Sequence, residues 1–296
     1  ANCHARGQKV IVDGVFNHTG REFFAFQDIQ KNREHSPYVN WYKGVNFGWN
    51  SPYNDGFGYE AWRNCFELVN LNLYEQAVRD YLFDVIHFWI QEFDIDGIRL
   101  DCADCLTFDF MKEMRWRTSQ EKEDFWLMGE IIHGDYRVWA NDEMLDSVTN
   151  YECWKGIYSS HNDKNYFEIA YSLKRQFGQG GLYENLCLYN FLDNHDVNRI
   201  GSLLKQRENL KNAYTLLYMM PGIPSIYYGS EWGIEGVKGQ GMDADLPLRP
   251  KLDLEEMCAQ ETDLPAHIRE LAKIRKESDA VKYGAYDEVL VRNKQF

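Results

Sequence analysis

No run of roughly 18 consecutive apolar residues, the least that spans a bilayer as a helix, occurs in these 296 residues. A transmembrane helix is therefore not expected. The spacings H-x-x-x-H and H-E-x-x-H are absent, and no second C-x-x-C exists to complete a zinc site. This argues against a fold built around a catalytic metal. Internal repeats and low-complexity tracts are missing too. Positive charge is scarce, with 32 Lys and Arg against 46 Asp and Glu and a formal charge of -14. That field repels phosphate backbones and anionic lipid surfaces, which disfavours nucleic acid and membranes as partners. Neutral ligands such as sugars meet no such barrier.

The seven cysteines (Cys3, Cys65, Cys102, Cys105, Cys153, Cys187 and Cys258) are odd in number and follow no disulfide framework. They read as reduced thiols, which places the protein in the cytoplasm. Cys102 and Cys105 form a lone C-x-x-C, read here as two small residues beside a strand end rather than a redox pair. The opening ANCHARGQKV is not a signal peptide. It leads almost directly into a strand pattern, as though the chain were cut from a longer one.

What is present is an alternation of short apolar strands and amphipathic helices. The strands are expected at 9–16, 95–101, 125–131, 145–151, 186–193 and 223–229. Most are near-continuous apolar runs, as in strands covered on both faces. In 75–92, Val78, Tyr81, Leu82, Val85, Ile86 and Trp89 repeat at three and four residues and share a helical face. Leu210, Ala213, Leu217 and Met220 do the same in 207–220, and a third helix follows Pro265. The alternation implies an α/β fold with a parallel sheet. Two segments break it. Residues 19–68 show no clear helix but many aromatics, and read as a small excursion domain whose rings serve its own core and a sugar-stacking rim. Residues 231–264 read as a long loop.

Polar residues cluster at strand ends. Asp13, Asn17 and His18 close the first strand, Arg99 and Asp101 the second, and Glu130 the third. Asp193, Asn194, His195 and Asp196 close the fifth. Any one Asp there reads as a helix cap. Eight ionisable groups at four strand ends read as an active-site mouth, because burying so many is costly unless they pair or work. Hydrolysis of a neutral sugar needs one carboxyl group protonated and one ionised. Arg99 shares a strand face with Asp101 and would keep it ionised. Glu130 has no basic neighbour at comparable spacing in its own strand, and its apolar surroundings and two Asp would favour the protonated form.

IVDGVFNH (11–18), DGIRLD (96–101), GEII (129–132) and FLDNHD (191–196), in this order, resemble the four sequence blocks of the alpha-amylase family, glycoside hydrolase family 13. GIPSIYYGSE (222–231) resembles the block on that family's last barrel strand. Residues 19–68 are similar to the excursion domain of neopullulanase-like, cyclomaltodextrinase-like and maltogenic members. The resemblance implies an eight-stranded (β/α) TIM barrel. Strands three to eight would lie in 1–18 and 69–282, the excursion domain in 19–68, and the start of a trailing β domain in 283–296. Strands one and two would be missing from this chain, leaving open edges that invite a homo-oligomer.

The same resemblance implies roles. Asp101 would be the nucleophile, Glu130 the acid and then the base, and Asp196 the third carboxylate. His18, Arg99 and His195 would line the subsite of the reacting glucose, Arg199 would reach the next sugar, and Asp13 would orient Arg99. The substrate would be an alpha-1,4-glucan, such as a maltooligosaccharide, a cyclodextrin or pullulan, cleaved with retention through a glycosyl-Asp101 intermediate. No cofactor is required. A calcium ion at Asn17 is the one candidate, with Asn72 standing where many amylases carry an Asp. Transfer to a second sugar by the same residues is one alternative to hydrolysis, and an inert amylase-like fragment or binding protein is another.

Overall fold

The computed structural model describes residues 2–241, 243–260 and 262–296. The chain forms two compact units, Ala1–Ile131 with Val138–Val148 and Ile132–Arg137 with Thr149–Phe296.

The first unit runs β1 (Ile11–Gly14), β2 (His18–Gly20), α1 (Phe24–Asn32), β3 (Leu68–Asn70), α2 (Gln76–Phe93), β4 (Gly97–Leu100), α3 (Phe108–Glu121), β5 (Trp126–Gly129) and β6 (Ser147–Val148). Strands β1, β4, β5 and β6 lie side by side in that order, all parallel. The register sets Asp13 opposite Arg99 and Leu100 opposite Gly129. Ile98, Leu100, Leu127 and Val148 are fully buried, which is why these stretches read as unbroken apolar runs. Gly97 lets β4 and β5 approach: a Cβ there would stand 2.2 Å from the Trp126 carbonyl oxygen.

Helix α2 buries Val78, Leu82, Phe83, Ile86 and Ile90 and packs beside α3. It stops at Asp94, which adopts a left-handed conformation (φ 50°) and returns its N–H to Ile90 O. Just beyond, Asp96 is buried at the N-terminal end of β4. It accepts hydrogen bonds from Val10 N (2.7 Å) and His4 Nε2 (2.7 Å), and pairs with Lys122 Nζ (2.9 Å) and Lys9 Nζ (3.4 Å).

The stretch 19–68 differs from the sequence expectation. It contains α1, which buries Ala25, Phe26 and Ile29. The helix has no side-chain cap at its start, so it lacked the usual sequence signal. Strands β2 and β3 pair antiparallel beside it. Phe26, Tyr42, Phe57 and Tyr59 form its core, and Arg21 ties Asp55 (2.7 Å) to the Tyr59 hydroxyl (2.6 Å). Trp49 and Tyr53 stay about half exposed, so the aromatics divide between interior and rim.

The second unit runs α4 (Tyr151–Asp163), α5 (Phe167–Phe177), β7 (Tyr189–Phe191), α6 (Ile200–Leu203), α7 (Asn209–Met219), β8 (Ile223–Ser225), α8 (Leu254–Cys258), α9 (Leu264–Glu277) and α10 (Asp279–Tyr283). Strands β7 and β8 are parallel, and a parallel bridge joins Thr149 to Tyr189. Buried Asn150 caps α4 by accepting from Cys153 N, and its amide nitrogen bonds Gln176 and Asn190 (both 2.9 Å). All six expected strands are present, each shorter than its apolar run. Seven of the α-helices carried no explicit forecast: α1, α3, α4, α5, α6, α8 and α10. Among the described residues, no helix is long and apolar enough to cross a membrane.

Candidate active site

Asp101 follows β4 directly, and Glu130 follows β5. Their backbones interlock: Asp101 N donates to Gly14 O (3.1 Å) and Glu130 N to Leu100 O (2.9 Å). Continuing the register from Leu100–Gly129 sets the two carboxylates opposite each other on neighbouring strands. Arg99 lies between them. Its Nη1 meets Asp13 Oδ1 at 2.7 Å and Asp101 Oδ1 at 2.9 Å, and its Nη2 meets Glu130 Oε2 at 2.9 Å. Burial alone would lower the pKa of this guanidinium. Glu130 first, then Asp13 and Asp101, overcome that and raise it. Arg99 is a fixed cation held by three carboxylates.

This corrects one expectation. The basic neighbour of Asp101 also serves Glu130, because parallel register brings Glu130 within reach of a side chain from the adjacent strand. Spacing within one strand could not show that. Glu130 is itself buried, and its Oε2 accepts the Cys102 N–H at 3.1 Å. The donor is aimed by a sharp turn: Cys102 adopts a left-handed conformation (φ 35°, ψ 55°) straight after Asp101. A non-glycine residue held there stores backbone strain, a feature concentrated at functional sites.

His18 opens β2 and is buried close to Asp101. Desolvation lowers its pKa, with Asp101 opposing in part, so the ring is neutral near pH 7 and can donate or accept a hydrogen bond. Trp62 packs beside it, with ring centroids 5.7 Å apart. All seven cysteines are free thiols.

Asn17 does not make a convincing cation seat. It directs its amide nitrogen at His18 Nδ1 (3.3 Å) and Asn70 Oδ1 (3.5 Å), while Asn72 Oδ1 accepts the Tyr74 N–H. Neutral amides without a carboxylate suit calcium poorly.

The second unit carries its own polar cluster after β7. Asn194 Oδ1 accepts the N–H groups of Asp196 (2.8 Å) and Val197 (3.1 Å), which fixes the turn. Asp196 pairs with His195 Nε2 (3.2 Å) and Arg249 Nη2 (3.1 Å). Arg249 also donates to the His195 carbonyl and pairs with Asp245 (3.0 Å). Arg249 was not singled out in the sequence because it sits in the loop 231–264, away from any strand end. Asp193 is buried, where desolvation pushes its carboxyl up to about 6, against hydrogen bonds from Ile200 N and Ser230 Oγ.

Arg199 departs from expectation. It is fully buried. Its Nε and Nη2 donate to Leu248 O, and its Nη1 to Tyr228 O and Ser230 Oγ. The guanidinium also lies over the Tyr227 ring at 3.9 Å. A side chain so occupied braces the loops after β7 and β8 and does not extend toward a sugar. Sequence alone could not tell a buried Arg from an exposed one.

Comparison with known proteins places this geometry. The model for the alpha amylase catalytic domain matches residues 1–279. An intracellular maltogenic amylase from Bacillus subtilis is 31% identical over 286 residues, covering 95% of this chain and 46% of that protein. A cyclomaltodextrinase from Geobacillus thermopakistaniensis is 31% identical, covering 95% and 47%. The ligand-free cyclic alpha-maltosyl-(1→6)-maltose hydrolase from Arthrobacter globiformis superposes with a TM-score of 0.82 at 27% identity, covering 98% of this chain and 64% of that one. The chain thus spans about half the length of the curated relatives it matches.

Proposed function

The chain belongs to the alpha-amylase family, whose structures are TIM-barrel enzymes, and from that premise we propose that it carries the catalytic centre of a retaining alpha-glucan hydrolase. One observation carries the reading. A single guanidinium, Arg99, contacts two carboxylates that stand opposite each other on adjacent parallel strands. Neighbouring strands lie about 4.8 Å apart. A retaining pair needs its carboxyl groups about 5–5.5 Å apart, whereas an inverting pair leaves room for a water at about 6.5–9.5 Å.

In this mechanism Asp101, paired with Arg99, attacks the anomeric carbon. Glu130 gives its proton to the departing glycosidic oxygen, and a glycosyl ester forms on Asp101. Glu130 then takes a proton from water, which attacks the same carbon and releases the sugar with its original configuration. Asp13 keeps Arg99 in place. Neutral His18 hydrogen-bonds hydroxyls of the reacting sugar. The substrates are starch-derived alpha-1,4-glucans, in line with the names of the relatives. The free thiols and the relative named as intracellular support a cytoplasmic setting.

The test is turnover of a chromogenic maltooligosaccharide by the chain and by its Glu130→Gln variant, with the product anomer followed by NMR. Hydrolysis with retention, lost in the variant by roughly 10²–10⁴-fold, is the expected result. Equal turnover would remove Glu130 from its role, and an inverted product would remove the double displacement. Products longer than a maltotriose substrate would show transfer in place of hydrolysis.

A further inference from the structure

The side chains around the nucleophile form a donor set with one member, Cys102, that the sugar chemistry does not use. His18, Asp101 and Cys102 each offer one ligand atom, and these atoms lie within 4.8 Å of one another. Nitrogen, oxygen and sulfur together suit a borderline-soft d¹⁰ cation, and a thiol at such a spot is a poor ligand for calcium or magnesium. Tetrahedral zinc holds its ligand atoms about 3.4–3.8 Å apart. Side-chain rotation of about 1 Å closes the difference. The surroundings are anionic, since Asp13, Asp101 and Glu130 share one guanidinium. Asp101 keeps its Oδ2 clear of the Arg99 contact, which uses Oδ1.

We propose that His18, Asp101 and Cys102 bind a thiophilic divalent cation, Zn²⁺ being the type case, with the fourth position open to water. Binding exchanges the Cys102 S–H for a metal–sulfur bond and releases the proton to solvent. Because Asp101 becomes a ligand, the bound ion silences the nucleophile. The binding claim is independent of the glycosidase reading. Only the inhibition rests on it.

The experiment titrates the purified chain with Zn²⁺ in competition with a zinc-responsive fluorescent chelator, and separately with Co²⁺ by absorption. One Zn²⁺ per chain is expected, together with a thiolate-to-cobalt charge-transfer band. Cys102→Ser should abolish the band and weaken Zn²⁺ binding by at least about tenfold, and His18→Ala should weaken it likewise. Cys105→Ser should leave both intact, and excess Ca²⁺ or Mg²⁺ should not compete. If Cys102→Ser binds Zn²⁺ as wild type does, the site is refuted. If Cys105→Ser loses binding as fully as Cys102→Ser, the metal sits on the thiol pair and the assignment fails. In turnover assays Zn²⁺ should inhibit competitively and reversibly by EDTA, with the half-inhibiting concentration raised in Cys102→Ser by the factor seen in binding. Tight binding without inhibition of an active chain overturns the role of Asp101 as ligand. An inactive chain that still binds through Cys102 upholds the site and counts only against the glycosidase reading.

Discussion

The two ends of strand β4 carry opposite solutions to the same problem. At the N-terminal end one buried carboxylate, Asp96, is surrounded by Lys122, His4, Lys9 and the Val10 N–H. At the C-terminal end one cation, Arg99, is surrounded by Asp13, Asp101 and Glu130. The first cluster satisfies its buried charge fully and asks for nothing more. The second leaves more negative charge than its cation can answer. A surplus of this kind is costly for the fold, and such surpluses are concentrated at functional sites.

The largest test of that contrast is Asp101→Asn. It should lower turnover by roughly 10⁴-fold or more, because the covalent route is gone. Azide should restore reaction and give a glycosyl azide of inverted configuration. A loss below about tenfold would contradict the nucleophile role. Arg99→Met should come next, with turnover down by roughly 10²-fold or more and a measurable loss of stability, because the buried Glu130 and the partly buried Asp101 lose their cation. Chemical denaturation would read the second effect.

At the other end, Asp96→Asn should destabilise by about 1–3 kcal/mol while kcat stays near wild type under folding conditions. A loss of kcat without loss of stability would erase the distinction between the two ends. The pH dependence sharpens this. Burial acts to raise the Asp96 carboxyl, but hydrogen bonds from Lys122, His4 and Val10 outweigh it and hold the carboxyl well below the usual range. Its stabilisation is therefore complete above the unfolded-state pKa of about 3.9. It is lost as pH falls toward the lower folded value. Denaturation midpoints should show this acid limb in wild type and a flatter one in Asp96→Asn.

The smallest expected effect lies in the second unit. Asp193 is raised to about 6, so it favours folding most when protonated. Its contribution should be whole below about pH 4 and decline as pH rises to 6. Asp193→Asn should remove that decline.

Much of this was legible in the sequence, for identifiable reasons. Strands buried on both faces announce themselves as apolar runs, and α2 as a stripe at helical spacing. Asp13, Arg99, Asp101 and Glu130 stood out because charged residues ended those runs. What stayed hidden depends on contacts across strands or inside loops. Nothing in the sequence showed that Arg99 reaches Glu130 on the neighbouring strand. Arg199 looked like a sugar ligand until its guanidinium proved to be spent on the carbonyls of Tyr228 and Leu248. Arg249 lay in a loop with no periodicity to flag it. Helix α1 went unseen because neither a capping side chain nor a long amphipathic pattern marks it.

Gly97 has a reach beyond its own position. With hydrogen where a methyl would strike the Trp126 carbonyl, it lets two backbones run side by side at ordinary sheet spacing. Whatever stands at the tips of those strands inherits that gap. In the proposed double displacement, the separation of the attacking and the proton-giving groups is thus set by main chain, upstream of either side chain.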